Sequence, residues 1–452
     1  MVVLVVAFVA LAGSSTLSRA HAVDASNTPM FPPLRVLAAP SGLSIGTAIN
    51  TCALTQELAP PGCQLPDLSP GAEYPRVAAS QFSSLSTESA LAWKNTDDAP
   101  NVADACLPHP ENYAFGEALV NFAHASGMVV RGTSVVWGKA DTIPAWLPGC
   151  TASQRRILMD AHVVQMVSHF AGRVQQWDVV NEAICPGPDA AHGCTAGGDV
   201  KDTTFSQAFQ GQCVGTKWAF WQPITTDDTD TSSCYINLAF ELAHRADPSA
   251  ALYYNDTDLW QNSAQFQSVQ KLIRNLKADP LLKDAVIGVG MQIHLLNGRL
   301  YTGNYDASPG PSLYSIKAAM SAFTGENVNV AVTELNDFLS PNFASASEAD
   351  QANAYGDALE ACFAVGVARV GAPSAVPNQV PVAGCTSYTS WCFTDRVSFV
   401  PPNYADAGGK DGCMLDANYN PKPAYLKIKG ILTAHLTNVG TAASDAGLRE
   451  GT

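Results

Sequence analysis

The chain has 452 residues, of which 47% are hydrophobic and only 14% are charged, so it is long enough and apolar enough to bury a large core. Its formal net charge of −15 argues against nucleic acid and against anionic membranes as partners, because both carry negative charge themselves. The 12 cysteines form an even number, which is typical of disulfide-bonded proteins in an oxidising compartment.

The first 22 residues predict a secretory signal peptide (residues 1–22). An apolar run from Val2 to Leu11 leads to Ala20, His21 and Ala22, and small residues at both ends of such a triplet are typical of signal cleavage sites. A buried N-terminal strand or helix is the alternative interpretation. No later apolar run approaches the length that spans a membrane. We therefore expect a secreted, extracellular protein.

The remaining chain alternates short β-branched runs with longer segments of helical periodicity. Strands are predicted at residues 43–50, 80–84, 129–137, 174–181, 251–255, 286–292, 328–334 and 386–391. Helices are clearest at residues 153–172 and 348–366, each of which ends at a glycine. This alternation predicts an α/β protein with a single (β/α)8 TIM barrel over residues 23–437 and a polar C-terminal tail over residues 438–452. A doubly wound open sheet is the alternative, but no Gly-rich dinucleotide loop or P-loop supports it.

Disulfides and N-glycosylation are the covalent modifications that the sequence suggests. Neighbouring cysteines in Pro-, Gly- and Asp-rich stretches suggest the pairs Cys52–Cys63, Cys185–Cys194, Cys213–Cys234 and Cys392–Cys413, although spacing alone leaves the connectivity open. A zinc site is not expected, because no two Cys-x-x-Cys units occur at ligand spacing. Asn255, Asp256 and Thr257 form a glycosylation sequon, which would be unused if this strand end is buried.

Polar or aromatic side chains end several of the predicted strands. They are Asn181 and Glu182 after the fourth strand, Gln292 and His294 after the sixth, Glu334 after the seventh and Trp391 after the eighth. The carboxyl ends of barrel strands converge on one mouth, so the two glutamates are expected to face each other there. Glycoside hydrolysis requires such a pair, since one carboxyl protonates the leaving oxygen while the other attacks the sugar or activates water. A single glutamate after a strand is more often a helix cap or a surface residue, so the pattern alone leaves both interpretations open.

Two short motifs favour the first interpretation. WDVVNEA (residues 177–183) and VTEL (residues 332–335) resemble the signatures of glycoside hydrolase family ten, the retaining endo-β-1,4-xylanases. The resemblance continues through VNFAHASGMVVRG (120–132), LYYND (252–256), GVGMQIH (288–294), SWCFTD (390–395) and NPKPAY (420–425), and so covers most of the chain. It implies a secreted enzyme that cleaves internal β-1,4 linkages of xylan by double displacement. We expect a monomer that binds a xylan-like polysaccharide or oligosaccharide and needs no metal or organic cofactor.

The resemblance also implies a role for each residue at the reacting sugar. Glu182 matches the acid/base of the family, and Glu334 matches its nucleophile. Asn181 matches the amide that binds the 2-hydroxyl of the sugar under attack. Gln292 and His294 match groups that hold the nucleophile and that same sugar. The acid/base must carry a proton in the first step and lose it in the second, when it activates water.

On the glycone side of the cleft, the sequence both resembles the family and departs from it. Trp137 and Trp391 match aromatic walls, although either could be an ordinary core residue, and Glu88 matches an acid that binds the next sugar outward. The departures are Ser89, Ala92, Thr133, Gly138, Ala140, Thr257, Asn336 and Phe399, which stand where the family has other, mostly polar or aromatic, residues. A shifted loop would let Asp337 replace the acid missing at Asn336. These changes leave two alternatives to a xylanase open: a retaining β-glycosidase with another glycan or aryl-glycoside preference, and a carbohydrate-binding protein without turnover.

Overall fold

The structure is a computed structural model that describes residues 32–50, 73–97, 104–188, 194, 196–210, 212, 224, 233–257, 259–300, 313–342, 347–369, 383–398 and 408–447. The predicted signal peptide (residues 1–22), Cys52, Cys63, Cys213 and Phe399 lie outside the described residues.

Eight parallel strands of the described chain close into a barrel, which confirms the predicted (β/α)8 architecture. The strands are β1 (Ser44–Ala48), β2 (Ser84–Ser86), β3 (Val129–Gly132), β4 (Val136–Trp137), β5 (Gln176–Asn181), β6 (Ala251–Asp256), β7 (Val286–Met291), β8 (His294–Leu296), β9 (Arg299–Leu300), β10 (Asn329–Phe338) and β11 (Cys385–Ser390). Around the ring the order is β1, β2, β3, β5, β6, β7, β10 and β11, and β11 pairs with β1 to close it. β4 pairs with β5, while β8 and β9 form a hairpin whose first strand pairs with β10.

Helices connect the barrel strands, and the buried apolar side chains of both form one contiguous cluster. The α-helices span Leu34–Ala38, Glu73–Gln81, Trp93–Thr96, Ala114–Ala125, Ala152–His169, Thr204–Phe209, Cys234–Ala246, Ala264–Ala278, Leu313–Gly325, Glu348–Ala364 and Pro423–Gly447. Among these described helices, none combines the length and the apolar composition that a membrane span needs. The last helix continues into the segment from residue 438 onward that was expected as a polar tail.

The two helices that periodicity indicated most clearly are confirmed. Ala152–His169 begins with a capping box, in which the Thr151 hydroxyl accepts the backbone N–H of Gln154. Gly172 follows this helix in the left-handed region with φ +73°, as expected of a glycine that stops a helix. Glu348–Ala364 begins after Ser347, whose hydroxyl accepts a backbone N–H of the first turn.

The strand predicted at residues 80–84 is wrong in its bounds. The helix Glu73–Gln81 occupies its first part, and the strand β2 lies later, at Ser84–Ser86. Pro75 in the first turn and the alanine Ala78 in the middle of this helix both favour helical backbone over a strand. The short β2 strand contains two serines and one leucine, so it lacks the β-branched run by which strands are usually found.

The strand predicted at residues 129–137 is interrupted between β3 and β4. Gly132 ends β3 and packs so closely against the ring of Trp177 that a Cβ atom would collide with it. Thr133 then turns inward, and its hydroxyl donates to the carboxylate of Asp178 over 2.6 Å. Asp178 also forms a fully buried ion pair with Arg131, so polar as well as apolar contacts fill the barrel interior below its mouth.

Four disulfides join described cysteines: Cys106–Cys150, Cys185–Cys194, Cys362–Cys385 and Cys392–Cys413. Two of them, Cys185–Cys194 and Cys392–Cys413, are pairs that the sequence suggested, whereas spacing did not suggest the other two. The Cys185–Cys194 disulfide closes the loop that follows Glu182. In the same loop the backbone N–H of Cys185 donates to the carbonyl of Asp199 over 2.8 Å, so this segment is held on both sides.

Candidate active site

Glu182 lies directly after β5, at the mouth of the barrel. All six residues of this strand are buried, and Trp177 is fully so, which anchors the strand firmly in the wall. Glu182 then leaves the strand in the left-handed backbone region with φ +51°. Its backbone N–H donates to the carbonyl of Asn255 over 2.9 Å, and its Oε1 accepts from Nε2 of Gln292 at 3.0 Å. The apolar strand therefore ends in a sharp turn that directs a carboxylate toward the neighbouring strand ends.

Glu334 lies within β10, where the residue is only 7% exposed. Its Oε1 accepts from Nδ2 of Asn255 at 2.7 Å, and its Oε2 lies 3.2 Å from Nε2 of His294. β10 runs four residues beyond the predicted end because the β8–β9 hairpin pairs with it, opposite His294. This pairing sets the imidazole beside the carboxylate.

A continuous chain of hydrogen bonds links the two glutamates. Gln292 donates from Nε2 both to Glu182 and to Oδ1 of Asn181, the latter over 3.1 Å. The same Oδ1 accepts from Nδ2 of Asn255 at 2.9 Å, and Asn255 in turn donates to Glu334. Five side chains from β5, β6, β10 and the segment after β7 thus fix one another. The resemblance singled out Glu182, Glu334, Asn181, Gln292 and His294 for the reacting sugar. The first four are members of this network, and His294 contacts it through Glu334.

Asn255 belongs to this network, although the sequence suggested a glycosylation sequon there and no role in the site. It is fully buried, and its Oδ1 accepts the hydroxyl of Thr333 at 2.7 Å while its Nδ2 donates to Asn181 and Glu334. Gly290 on β7 makes room for it, because a Cβ atom there would overlap Oδ1 of Asn255. An amide with every group engaged inside the barrel is not a glycan acceptor. The available signal was its position: like Asn181 on the adjacent strand, it is an amide at a strand end.

His294 lies between a carboxylate and an amide oxygen. Its Nε2 faces Glu334, and its Nδ1 lies 2.9 Å from Oδ1 of Asn336, so a doubly protonated ring satisfies both oxygens. Burial alone would lower the pKa of His294, but the hydrogen bond and the negative charge of Glu334 outweigh it and raise the pKa above its ordinary value. Burial also raises the pKa of Glu334, and the hydrogen bond and charge of His294 oppose that rise.

Asp337 does not replace the acid that is missing at position 336, so that alternative is wrong. Both of its carboxylate oxygens accept the backbone N–H of Gly298, over 2.9 and 3.0 Å. Gly298 belongs to the turn between β8 and β9, so Asp337 holds the hairpin that carries His294 rather than the imidazole itself. Its burial raises the pKa of Asp337 to about 7.

The residues predicted to bind the glycone sugars, Glu88, Trp391 and Trp137, lie around this network. Glu88 follows β2 in the left-handed region (φ +48°), and its Oε2 accepts from Nδ2 of Asn50 at 3.1 Å. Burial, opposed by that hydrogen bond and aided by the negative charge of Glu334, raises the pKa of Glu88 to about 7. Trp391 follows β11 and stands edge-on to His294 with ring centroids 6.4 Å apart. Trp137 ends β4 in register with Asn181 of the network.

Several departures from the family pattern have structural consequences. The Thr133 hydroxyl donates a hydrogen bond to Asp178 below the barrel mouth, and Ala92 is buried and has no polar side-chain group. Gly138 lies so close to Thr203 that a side chain there would collide with it (2.6 Å from an added Cβ to the Thr203 Cβ). Ala140 is exposed. Residues that offered hydrogen bonds at these places in the family pattern are therefore replaced by small or inward-directed ones.

The comparison with known proteins agrees with this arrangement. The sequence matches the family model described as glycosyl hydrolase family 10 over residues 34–431. The chain belongs to glycosyl hydrolase family 10. As a member of that family it is a glycoside hydrolase, which confirms the resemblance that the two glutamate motifs carried.

Relatives in family 10 are similar over most of the chain. Endo-1,4-beta-xylanase D of Talaromyces funiculosus is 27% identical over 367 residues, which cover 80% of this chain and 72% of that protein. Endo-1,4-beta-xylanase B of Thermotoga neapolitana is 27% identical over 410 residues, covering 89% and 92%. The crystal structure of native xylanase 10B from Thermotoga maritima matches with a TM-score of 0.65 at 24% identity, over 90% of this chain and 99% of that one. This last likeness supports the barrel fold.

Proposed function

We propose that the chain is a secreted, retaining endo-β-1,4-xylanase that cleaves internal linkages of xylan by double displacement. The observation that carries the proposal is the hydrogen-bonded chain that connects Glu182 to Glu334 through Gln292, Asn181 and Asn255. Retaining glycosidases need two carboxyls that are fixed relative to each other across the scissile bond. A network of short amide bridges supplies that fixation.

The charges of the two carboxyls suit different roles. Glu334 accepts a hydrogen bond from Asn255 and lies 3.2 Å from Nε2 of His294, and both contacts favour the anionic form that must attack the anomeric carbon, against the opposing effect of burial. As the new C–O bond to Glu334 forms, the proton of Glu182 passes to the leaving oxygen and the glycosidic bond breaks. In the second step Glu182 takes a proton from water, which attacks the same carbon and releases Glu334. Asn181 lies between the two and is the group placed to bind the sugar hydroxyl.

The substrate class is inferred from the relatives, which are named endo-1,4-beta-xylanases. Secretion is inferred from the signal-like residues 1–22 together with the disulfides, which form and persist in oxidising compartments. A retaining β-glycosidase with another glycan or aryl-glycoside preference is the second candidate. The small residues Ala92 and Ala140 and the inward hydroxyl of Thr133 favour it, because they remove hydrogen bonds with which the family grips its glycone sugars.

Product analysis on a substrate panel tests both candidates. Release of reducing ends from xylan, mixed-linkage β-glucan and mannan is measured for the wild type and for Glu334→Gln. Xylan is expected to be cleaved fastest, whereas a preference for glucan or mannan would select the second candidate. Proton NMR of the first-formed product is expected to show the β-anomer, and net inversion would contradict the role of Glu334. Turnover of no substrate above the Glu334→Gln control would leave only carbohydrate binding.

A further inference from the structure

The turn that carries Glu182 is a strained piece of backbone. A glutamate with φ +51° lies in the left-handed region, which is energetically unfavourable for a non-glycine residue. Such a conformation persists only where surrounding contacts enforce it. The contacts at this turn therefore determine where the carboxylate of Glu182 points.

One hydroxyl supplies two of these contacts. The backbone N–H groups of Ala183 and Ile184, the two residues after Glu182, both donate to the hydroxyl oxygen of Tyr254, each over 3.1 Å. Tyr254 is fully buried on β6. Further out, the carbonyl of Ala183 accepts the backbone N–H of Lys201 at 2.9 Å. The tyrosine hydroxyl thus holds the inner side of the turn, where no strand among the described residues provides a backbone partner for these two N–H groups.

The Tyr254 hydroxyl donates its own proton to Asp256. Because Tyr254 accepts two N–H donors, its own O–H is left to donate, and it does so to Oδ2 of Asp256, which is fully buried. The other carboxylate oxygen of Asp256 accepts the backbone N–H of Thr257 at 2.9 Å. Burial raises the pKa of Asp256 to about 7; the charge of Lys201 and the Tyr254 hydrogen bond oppose the rise, and the negative charge of Glu182 adds to it. Asp256 and Glu182 are therefore also in electrostatic contact.

We propose that Tyr254 and Asp256 are positioning residues for the acid/base: Asp256 orients the Tyr254 hydroxyl, and the hydroxyl holds the Glu182 turn so that its proton is aimed at the leaving oxygen. Neither residue touches the substrate. This inference rests on the proposed function, in which Glu182 protonates the leaving group. It assigns to the LYYND segment a task that is distinct from the contact of Asn255 with Glu334.

The dependence on the leaving group tests the proposal. Tyr254→Phe removes the acceptor of both N–H groups, so the turn loosens and proton delivery becomes inefficient. For xylotetraose, whose sugar leaving group needs a proton, kcat/KM is expected to fall about 10²-fold. For 2,4-dinitrophenyl β-xylobioside, whose leaving group departs as a stable anion, kcat/KM is expected to fall less than about threefold. Equal losses on both substrates would overturn the proposal, because a general loss of active-site structure affects both alike.

Tyr253→Phe is the matched control. Tyr253 is equally buried on the same strand, but its hydroxyl bonds with Thr386 over 2.8 Å inside the barrel, away from the Glu182 turn. Both variants lose one buried hydroxyl, so both are expected to unfold at a lower temperature. Only Tyr254→Phe is expected to lower the ratio of kcat/KM for xylotetraose to kcat/KM for 2,4-dinitrophenyl β-xylobioside. A change of that ratio in Tyr253→Phe as large as in Tyr254→Phe would also overturn the proposal.

Asp256 provides a second test that does not depend on the folding of Tyr254→Phe. Asp256→Ala leaves the tyrosine proton without an acceptor, so the ratio of kcat/KM for xylotetraose to kcat/KM for the dinitrophenyl xylobioside is expected to fall about tenfold or more. Asp256→Asn keeps an acceptor oxygen, so its ratio is expected to stay close to that of the wild type. An unchanged ratio in Asp256→Ala would contradict the proposal. If the wild type itself cleaves neither substrate, the proposed xylanase function fails, which is a different result from a wild type that is active and variants that lose both activities equally.

Discussion

The two sides of the barrel mouth differ in how densely their polar groups are bonded. At the reaction centre, formed by the ends of β5, β6, β7 and β10, Asn255 alone makes three side-chain hydrogen bonds with its neighbours. At the glycone side, formed by the ends of β2, β3 and β4, Glu88 has a side-chain bond with Asn50, and Ala92 brings no polar group. The proposed reaction centre is therefore densely hydrogen-bonded, whereas the proposed glycone side offers fewer polar contacts.

This difference follows from what each side must do. Bond cleavage needs reacting groups held to within a fraction of an ångström, and misplacement by about 1 Å can cost a factor of 10² in rate. Sugar binding is the sum of separate contacts, each worth about 1.5–3 kcal/mol when charge-assisted, and water can replace some of them. Losses on the glycone side therefore change affinity and specificity, while losses at the reaction centre would abolish turnover. Substitutions on the two sides should separate along this line.

The largest effect is expected for Glu334→Gln. It replaces the attacking carboxylate by an amide of the same shape, so kcat on xylan should fall by about 10⁴-fold or more. Steady-state reducing-sugar assays measure the fall, and circular dichroism checks that the barrel is intact. Glu88→Gln makes the same chemical change on the glycone side and should leave kcat within about threefold. Comparable losses in the two variants would erase the distinction between the two sides.

A second contrast uses one amide from each side. Asn255→Ala removes a hydrogen bond to Glu334 and one to Asn181, and kcat is expected to fall about 10²-fold, as for loss of one preorganised donor at a reaction centre. Asn50→Ala removes the partner of Glu88 and is expected to raise KM with little change in kcat. Mass spectrometry of the protein produced in a host that N-glycosylates should also find Asn255 without a glycan. A kcat loss in Asn50→Ala that equals the loss in Asn255→Ala would contradict the contrast.

The raised pKa of Glu88 predicts a pH-dependent affinity. Because the pKa is about 7, the side chain is neutral below that pH and becomes a charged acceptor for sugar hydroxyls above it. The wild-type KM for xylotetraose should therefore fall as the pH rises through 7. Glu88→Gln cannot ionise, so its KM should match the wild type near pH 5.5 and exceed it about tenfold near pH 8.5. A wild-type KM that does not change with pH would contradict a Glu88 that both titrates near pH 7 and binds the sugar.

The sequence predicted the barrel and, through the family resemblance, the two glutamates at its mouth, because these depend on patterns that lie within single elements. Alternating strands and helices indicated the fold, and the motif around Glu182 ends an apolar strand that the structure also shows. Asn255 was not predicted as part of the site, since its role depends on Gly290 and Thr333 from two other strands. Contacts of that kind arise only when the sheet closes and sets the register between strands.

The same reason accounts for the errors in detail. β2 was misplaced because three residues of low β-propensity form a strand only through pairing with β1 and β3. Asp337 was a reasonable substitute for an acid by its position next to Asn336, but neighbouring residues of a strand point to opposite faces. In β10 this alternation sends Asn336 to His294 and Asp337 to the backbone of Gly298.

Asn336 is a departure that lies at the reaction centre, and replacing it by the acid of the family pattern should have the smallest effect. Asn336→Asp places a carboxylate 2.9 Å from Nδ1 of His294, where the atom is now a neutral amide oxygen. A negative partner favours the imidazolium, so the pKa of His294 should rise further, and the alkaline loss of the Glu334–His294 ion pair should move to higher pH. NMR titration of the histidine ring measures the shift directly. Asp337→Asn changes the adjacent charge on the opposite face of β10 and is expected to move the pKa of His294 much less. If both variants shift the pKa of His294 equally, this pKa depends on the total charge nearby and not on the atom that contacts Nδ1. The hydrogen bond to residue 336 would then not determine the charge state of His294.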